Sequence, residues 1–332
     1  MDDFGYLRAA DTDTALKALA TLPGARVVAG GTDMINLMKE RIEAPQTLID
    51  INRVGLSRIH ADCRGLHLGA LARMNAVLAH PTVRTTYPAI ARALELSASP
   101  QLRNAATMGG NLLQRTRCPY FRAETLLPCN KRVHGSGCAA KDGHGRTLAV
   151  FGWSQECRAT NPSDLAVALA ALDAHVTLGN AHGQRTLPLT EFHLLPGRTP
   201  SRETALGADE LLLSIRVPAP SADSRSGYLK VRERASYEFA LVSVAATVEL
   251  VGRGENTIIR RATLALGGVA AKPWRLRRTE EALVGAELTS RSIRLALADD
   301  FAEAQPLRDN AFKIELAQRA VVRTLLSLGD RA

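Results

Sequence analysis

The chain has 332 residues, 42 basic against 33 acidic for a net charge of +9 with histidines neutral, and is 46% hydrophobic and 23% charged. That composition excludes a disordered or fibrous chain and is long enough for two or three domains with cores of their own. The longest strictly apolar run, residues 165–172, is far short of the ~20 that span a bilayer, and the acidic start Met1-Asp2-Asp3 lacks the basic region of a secretory signal; neither a membrane span nor an export signal is expected. In chain order, residues 25–29 read as a short β-branched strand, Gly30-Gly31-Thr32-Asp33 breaks it, and Met34, Ile35, Leu37, Met38 and Ile42 recur at helical spacing up to Pro45. With a second strand over 47–51, the first fifty residues form a small α/β unit. A strand at 66–71 and a helix at 89–96 precede a glycine loop, Thr107-Met108-Gly109-Gly110-Asn111. Residues 115–160 have little periodicity and many glycines, prolines and basic side chains, and read as an irregular excursion. Asn161-Pro162-Ser163-Asp164 carries capping side chains for a helix running to residue 172. Strands at 175–178 and 210–217 lead to a linker of prolines and serines at 218–226. Strands at 228–233, 242–250 and 261–266 and helices around 279–284, 293–302 and 311–326 complete a C-terminal α+β domain. The division is therefore 1–53, 54–219 with the excursion inside it, and 220–332.

The charge is concentrated. Between 101 and 160, Arg103, Arg115, Arg117, Arg122, Lys131, Arg132, Lys141, Arg146 and Arg158 face only Glu124, Asp142 and Glu156, and the same stretch holds Cys118, Cys129, Cys138 and Cys157, while Cys63 stands apart. Four thiolates suit an iron–sulfur cluster, and surrounding positive charge offsets an anionic cluster and keeps thiolates ionised. Zinc commonly draws ligands in pairs two to four residues apart, and no such pair occurs, although His134 and His144 lie near. A chain of this size does not need disulfide staples, and free cysteine also packs as a small hydrophobe. Spacing leaves cluster, zinc and unligated cysteines open.

The two glycine segments, Ala29-Gly30-Gly31-Thr32-Asp33 and Thr107-Met108-Gly109-Gly110-Asn111, let the backbone turn sharply and bring unhindered N–H groups toward a ligand. Neither has the lysine of a P-loop or the three spaced glycines of the dinucleotide fingerprint. Each alone is also what a plain tight turn looks like; together they suit two parts of one phosphorylated ligand. Hydrolytic motifs are absent, with no Gly-x-Ser-x-Gly elbow or His-Glu-x-x-His helix, and His60, His67 and His193 are scattered. With 2 Trp, 5 Tyr and 7 Phe, stacking platforms for single-stranded nucleic acid are sparse. A zinc-stabilised nucleic-acid-binding protein would account for the charge and the cysteines but gives the glycine loops no role. Chemistry here is expected to belong to a cofactor.

These loops resemble the two FAD-binding loops of the flavin subunit in the xanthine dehydrogenase and CO dehydrogenase family of molybdenum hydroxylases. The strings Gln114-Arg115-Thr116-Arg117-Cys118-Pro119-Tyr120-Phe121, Pro128-Cys129-Asn130-Lys131-Arg132 and Gly135-Ser136-Gly137-Cys138-Ala139-Ala140 are similar to those of flavin subunits of periplasmic aldehyde oxidoreductases, which carry an extra [4Fe-4S] cluster. Residues 232–246 and 267–275 fit as well, so the resemblance covers essentially the whole chain.

The resemblance implies an α+β fold: a two-part FAD-binding domain (PCMH-like, 1–53 and 54–219) followed by a C-terminal domain of the CO dehydrogenase flavoprotein type at 220–332. It implies that Arg26, Val27, Val28, Ala29, Gly30, Gly31, Thr32, Asp33 and Met34 bind FAD, with its pyrophosphate on residues 29–33, that Thr107, Gly109, Gly110 and Asn111 complete the pocket, and that Asp164 accepts a hydrogen bond from the FAD. Leu212 and Lys230, on the strands flanking the linker, are implied to lie against the flavin; read by itself, Lys230 is an exposed strand cation. Many relatives have serine where Asp33 stands, and a helix-start role is expected of Asp33 in either case. Cys118, Cys129, Cys138 and Cys157 are the implied cluster ligands. No residue of the aldehyde chemistry is expected here, because the similar enzymes oxidise aldehydes at a molybdenum cofactor in a large subunit and pass electrons through two [2Fe-2S] clusters in a small subunit to FAD and an external acceptor. The basic 101–160 stretch is then expected to offset cluster charge and dock the partners of a heterotrimer. Location is implied to be the periplasm, reached folded with a partner bearing a twin-arginine signal, with the cytoplasm as the alternative. The flavin subunit of another molybdenum enzyme, such as an aryl-CoA reductase, is the near alternative.

Overall fold

The computed structural model describes residues 1–252 and 254–330, whose strands form three sheets. The first holds β1 (Gly5–Arg8), β2 (Ala25–Val28) and β3 (Thr47–Asp50), all parallel in the order β1-β3-β2. Parallel neighbours need crossovers, and helices Thr12–Thr21 and Met34–Lys39 provide them. β1 is not legible in the sequence because three of its four residues are exposed. Helix Thr12–Thr21, also not anticipated, has Asp11 accepting from the Thr14 N–H at 2.7 Å and buries Ala15, Leu16 and Ala18.

The second sheet holds β4 (Ile59–Asp62), β5 (Gly65–Gly69), β6 (His175–Asn180), β7 (Gly183–Pro188) and β8 (Leu211–Pro218), antiparallel in the order β4-β5-β8-β6-β7. Against β6, the register of β8 passes from Ser214 opposite Thr177 to Leu212 opposite Leu178, a bulge that leaves Leu213 unpaired. Leu212 joins the middle core with Leu66, Leu68 and Val176, while Leu211 and Leu213 join the N-terminal core with Leu16 and Ile49. One strand thus ties the first two units together. Helix Asp164–Ala171 is buried at all eight positions and packs on helix Pro88–Leu96 and on the third sheet.

That third sheet is an antiparallel meander of β9 (Ser224–Val231), β10 (Val242–Val251), β11 (Ile258–Gly267) and the two-residue β12 (Trp274–Arg275). β9 begins inside the expected linker, which shrinks to residues 219–223. The helix expected over 293–302 divides at Leu297 into Ser290–Ala296 and Ala298–Phe301. Helix Phe312–Gly329 covers β9 and β10 and carries Lys313, fully buried, whose ammonium donates to the carbonyls of Leu148 at 2.9 Å and Gly268 at 2.5 Å. Burial lowers the Lys313 pKa to about 7.

The glycine loop expected at 107–111 is instead helix Met108–Leu112. The excursion contains only a short 3-10 turn, Ala139–Lys141, and isolated bridges pairing Cys129 with Cys138 and Ser154 with Cys157. It packs on helix Met34–Lys39 through a small core of Leu37, Phe121 and Cys129, joined by Ile42 and Cys118. Among the described residues no helix is long and apolar enough to cross a membrane.

Candidate functional site

A cavity of about 290 Å³ lies where the first glycine segment faces β8 and helix Met108–Leu112. Its walls include Arg26, Val27, Val28, Ala29, Gly30, Gly31, Thr32, Asp33 and Met34, together with Thr107, Gly109, Gly110 and Leu212. Glu43, Ile51, Arg115, Leu206 and Glu210 also line it; they come from four separate stretches, and nothing local in the sequence singles them out. Asn111, Asp164 and Lys230 do not line this cavity.

The two glycine segments meet the cavity differently. Among the described residues, the backbone N–H groups of Gly30, Gly31, Thr32 and Asp33 donate to nothing in the chain. Four consecutive free donors beside a cavity form a cradle suited to an anion. Gly31 sits at φ +69°, and a Cβ on Gly30 would stand 2.0 Å from the Ala105 carbonyl oxygen. In the second segment the backbone donors from Met108 to Asn111 are all used: Met108 N–H bonds Ala72 O at 2.9 Å, Gly109 bonds Ala70 O at 2.8 Å, Asn111 bonds Thr107 O at 2.9 Å, and Gly110 bonds the capping hydroxyl of Thr107 at 3.1 Å. The second segment is a wall, not a donor cradle. The Asn111 side chain turns away, accepting from the Ser163 hydroxyl at 2.6 Å.

Asp33 does not cap its helix. Its backbone is already helical, at φ −117° and ψ −49°, whereas a capping residue needs an extended backbone for its side chain to reach the first turn. The carboxylate instead accepts from the Arg115 N–H at 2.9 Å and Arg122 Nη2 at 2.9 Å and forms an ion pair with Arg117 Nη2 at 2.7 Å. At the helix start, the Asp33 carboxylate is thus an anchor for the excursion.

Lys230 is not the exposed cation its strand position suggests: its side chain is 1% exposed. Its ammonium pairs with Asp164 Oδ2 at 2.8 Å and donates to Leu96 O at 3.1 Å. Asp164 Oδ2 also accepts from Ser97 Oγ at 3.0 Å, and Oδ1 accepts from the Tyr228 hydroxyl at 2.5 Å. Burial and the neighbouring Asp164 push the Tyr228 pKa well above the ordinary tyrosine value, so the hydroxyl stays a donor. Asp164 borders a second cleft of about 210 Å³ with Ser163, Arg117, Cys118, Phe239 and Gly268. A third pocket of about 170 Å³ adjoins both, sharing Leu113 and Arg115 with the first cavity and Thr160, Asn161 and Pro162 with the second. His193 lines this pocket with Nε2 2.9 Å from Leu112 O, and burial lowers its pKa to about 4, which keeps the ring neutral.

Cys118, Cys129, Cys138 and Cys157 converge on one small cavity of about 10 Å³, while Cys63 is exposed elsewhere. Burial pushes the Cys118 thiol up to about 12, and burial raises Cys157 too, with Lys131 pulling the other way. Among the described residues no three Cys, His, Asp or Glu side chains stand at the spacing of a single metal ion. Arg158 also lines the cavity, 6% exposed, with its guanidinium 4.8 Å over the Trp153 ring and its Nε and Nη1 without partners. The excursion's other charges are mostly spent within the chain. Arg115 pairs with Glu43 and Glu203, Arg122 with Asp33 and Glu40, Lys131 with Glu203, and Arg146 with Glu233, while Arg103 is buried on backbone carbonyls. The +9 chain therefore does not present the excursion as a free basic face.

A cavity floored by free backbone donors, on this arrangement of sheets, defines a nucleotide-cofactor-binding protein. Residues 2–220 match the FAD binding domain in molybdopterin dehydrogenase, and residues 227–328 match the CO dehydrogenase flavoprotein C-terminal domain. The chain belongs to the FAD-binding subunits of the molybdenum hydroxylase family and is an oxidoreductase subunit of that type. It is 45% identical over 327 residues to the aldehyde oxidoreductase FAD-binding subunit PaoB of Escherichia coli (strain K12), covering 98% of each chain. It is 28% identical to the nicotinate dehydrogenase FAD-subunit of Eubacterium barkeri, covering 84% of this chain and 80% of that one. The fold matches carbon monoxide dehydrogenase from Hydrogenophaga pseudoflava, solved without the Mo-pyranopterin moiety, with TM-score 0.75 and 25% identity over 100% of this chain and 99% of that one.

Proposed function

We propose that this chain is the FAD- and [4Fe-4S]-binding electron-transfer subunit of a molybdenum-dependent aldehyde oxidoreductase. It works as a heterotrimer with a molybdenum-cofactor large subunit and a [2Fe-2S] small subunit, and it acts in the periplasm after travelling folded with a signal-bearing partner. FAD, when bound, supplies the capacity to carry electrons from the partner subunits to an external acceptor. The chain's own residues bind and orient it. The free N–H groups from Gly30 to Asp33 hold the pyrophosphate, and Thr107, Gly109 and Leu212 form the opposite wall. The neighbouring pockets that share wall residues with this cavity extend toward Asp164.

The observation that carries the cluster reading is the convergence of four cysteines on one cavity beside a buried guanidinium with two unpartnered nitrogens. A buried charge without a partner is costly, and an anionic thiolate-bound cluster would supply one. Zinc commonly draws ligands in pairs two to four residues apart, and the four cysteines contain no such pair. The aldehyde assignment rests on the 45% identity to PaoB, whose name states that activity.

Flavin, iron, acid-labile sulfide and zinc measured on one anaerobically purified sample test this reading. Flavin with about four irons and four sulfides per chain is expected for such a cluster. Zinc in place of iron, or iron unchanged in Cys129→Ser, would sink the ligand assignment.

A further inference from the structure

We propose that Asp33 is a positioning residue for the flavin loop, that it acts through the cysteine excursion, and that flavin retention and filling of the cysteine site are therefore coupled; this rests on the cofactor reading above. The helix that follows the donor cradle is gripped by residues on both sides of Cys118. Asp33 accepts hydrogen bonds from Arg115 and Arg122 and pairs with Arg117, and further along Glu40 pairs with Arg122 at 2.9 Å and Glu43 with Arg115. The Asp33, Arg122, Arg115 and Glu43 side chains are 12–19% exposed, so solvent screens them far less than a surface pair. Beneath these ion pairs, Leu37 and Ile42 pack with Phe121, Cys118 and Cys129.

The excursion has almost no secondary structure of its own to fix these arginines. Arg117 adjoins Cys118 in the chain, and the Cys118 carbonyl accepts the N–H groups of Phe121 and Arg122 at 3.0 Å each. Whatever fixes Cys118 therefore fixes the turn that aims Arg122 at Asp33. Asp33 makes no side-chain capping bond to its own helix, so the hydrogen bonds its carboxylate accepts come from the excursion. Coupling of this kind is reciprocal: a filled cysteine site tightens flavin binding, and bound flavin protects the cysteine site by the same factor.

The test uses the full chain, stripped of flavin and titrated with FAD, as wild type, Asp33→Asn, Cys129→Ser and the double variant. Asp33→Asn is expected to weaken FAD binding by about tenfold, within the usual range of coupling between sites, and the double variant to fall within about twofold of Cys129→Ser, since the two act along one path. Release of iron to a chelator should slow on adding FAD in the wild type and not in Asp33→Asn, a dependence that a merely structural aspartate would not produce. FAD affinity within about twofold of wild type in Asp33→Asn, or losses that multiply in the double variant, would overturn the inference. If Cys129→Ser keeps its iron, the cluster reading fails by itself; if it does not fold, its arm is replaced. In both cases the Asp33→Asn/Arg122→Gln cycle decides the Asp33 role, non-additive losses supporting it and additive ones overturning it.

Discussion

The two glycine segments, Ala29–Asp33 and Thr107–Asn111, are nearly interchangeable as strings and serve one cavity in different ways. The first leaves four backbone donors free; the second spends its donors from Met108 to Asn111 on Ala70, Ala72 and Thr107. Paired glycines mark where the backbone comes close to something. Only an account of where each N–H goes tells whether that something is a ligand or the rest of the chain.

The largest effect expected from this comparison is that of Gly30→Ala. The added methyl would meet the backbone carbonyl of Ala105 at 2.0 Å, and backbone cannot rotate aside as a side chain does. A loss of about 3 kcal/mol or more is expected, measured by denaturant unfolding of the flavin-free chain. The clash is with protein, so the loss must be present before any flavin is added. Wild-type stability together with lost flavin would reassign Gly30 from chain packing to ligand approach.

Thr107→Val comes next. The Thr107 hydroxyl, 2% exposed, caps helix Met108–Leu112 by accepting from Gly110, and valine keeps the volume while orphaning that donor. Losing such a cap costs about 1–2 kcal/mol, again read from unfolding midpoints. If stability is unchanged but flavin affinity falls, the hydroxyl serves the ligand and the second segment is not the satisfied wall described here.

How much of this was legible beforehand follows the range of each interaction. The strand, glycine break and helix of residues 25–39 are written in local periodicity, and Ser163 before an apolar run announces its helix, which it caps by accepting from Ala166 N–H at 3.0 Å. Asp11 and the apolar spacing of residues 15–18 carried the same kind of signal for helix Thr12–Thr21 and went unused. Lys230 was misread because its partner Asp164 is 66 residues away, and a strand pattern cannot say that a cation on it is paired. Asp33 shows in the sequence only as a charge at a helix start; the residues that donate to its carboxylate lie more than 80 residues on. The glycines at 109 and 110 suggest a loop, yet a capping threonine and the bond from the Gly109 N–H to Ala70 O fix them in a short helix. Four cysteines scattered over 40 residues gave no spacing that chose among ligands, and only the folded excursion brings them to one cavity.

The smallest effect, and the sharpest check on the comparison, is expected for Gly110→Ala. Gly110 is exposed at the cavity edge, and the nearest atom to an added methyl is Thr107 Oγ1 at 2.9 Å. Two opposing contributions follow. Alanine is favoured over glycine inside a helix by about 0.5–1 kcal/mol, while crowding the capping hydroxyl gives back part of that gain. The net change in unfolding free energy should lie within about 0.5 kcal/mol of zero. Flavin affinity should also hold within about twofold, because the Gly110 N–H already donates to Thr107 and has nothing to withdraw from the ligand. Equilibrium FAD titration checks this directly. A tenfold loss of affinity without loss of stability would mean that the ligand lies against the Gly110 Cα itself. The second segment would then need its glycines for close approach, just as the first needs Gly30 for its approach to Ala105.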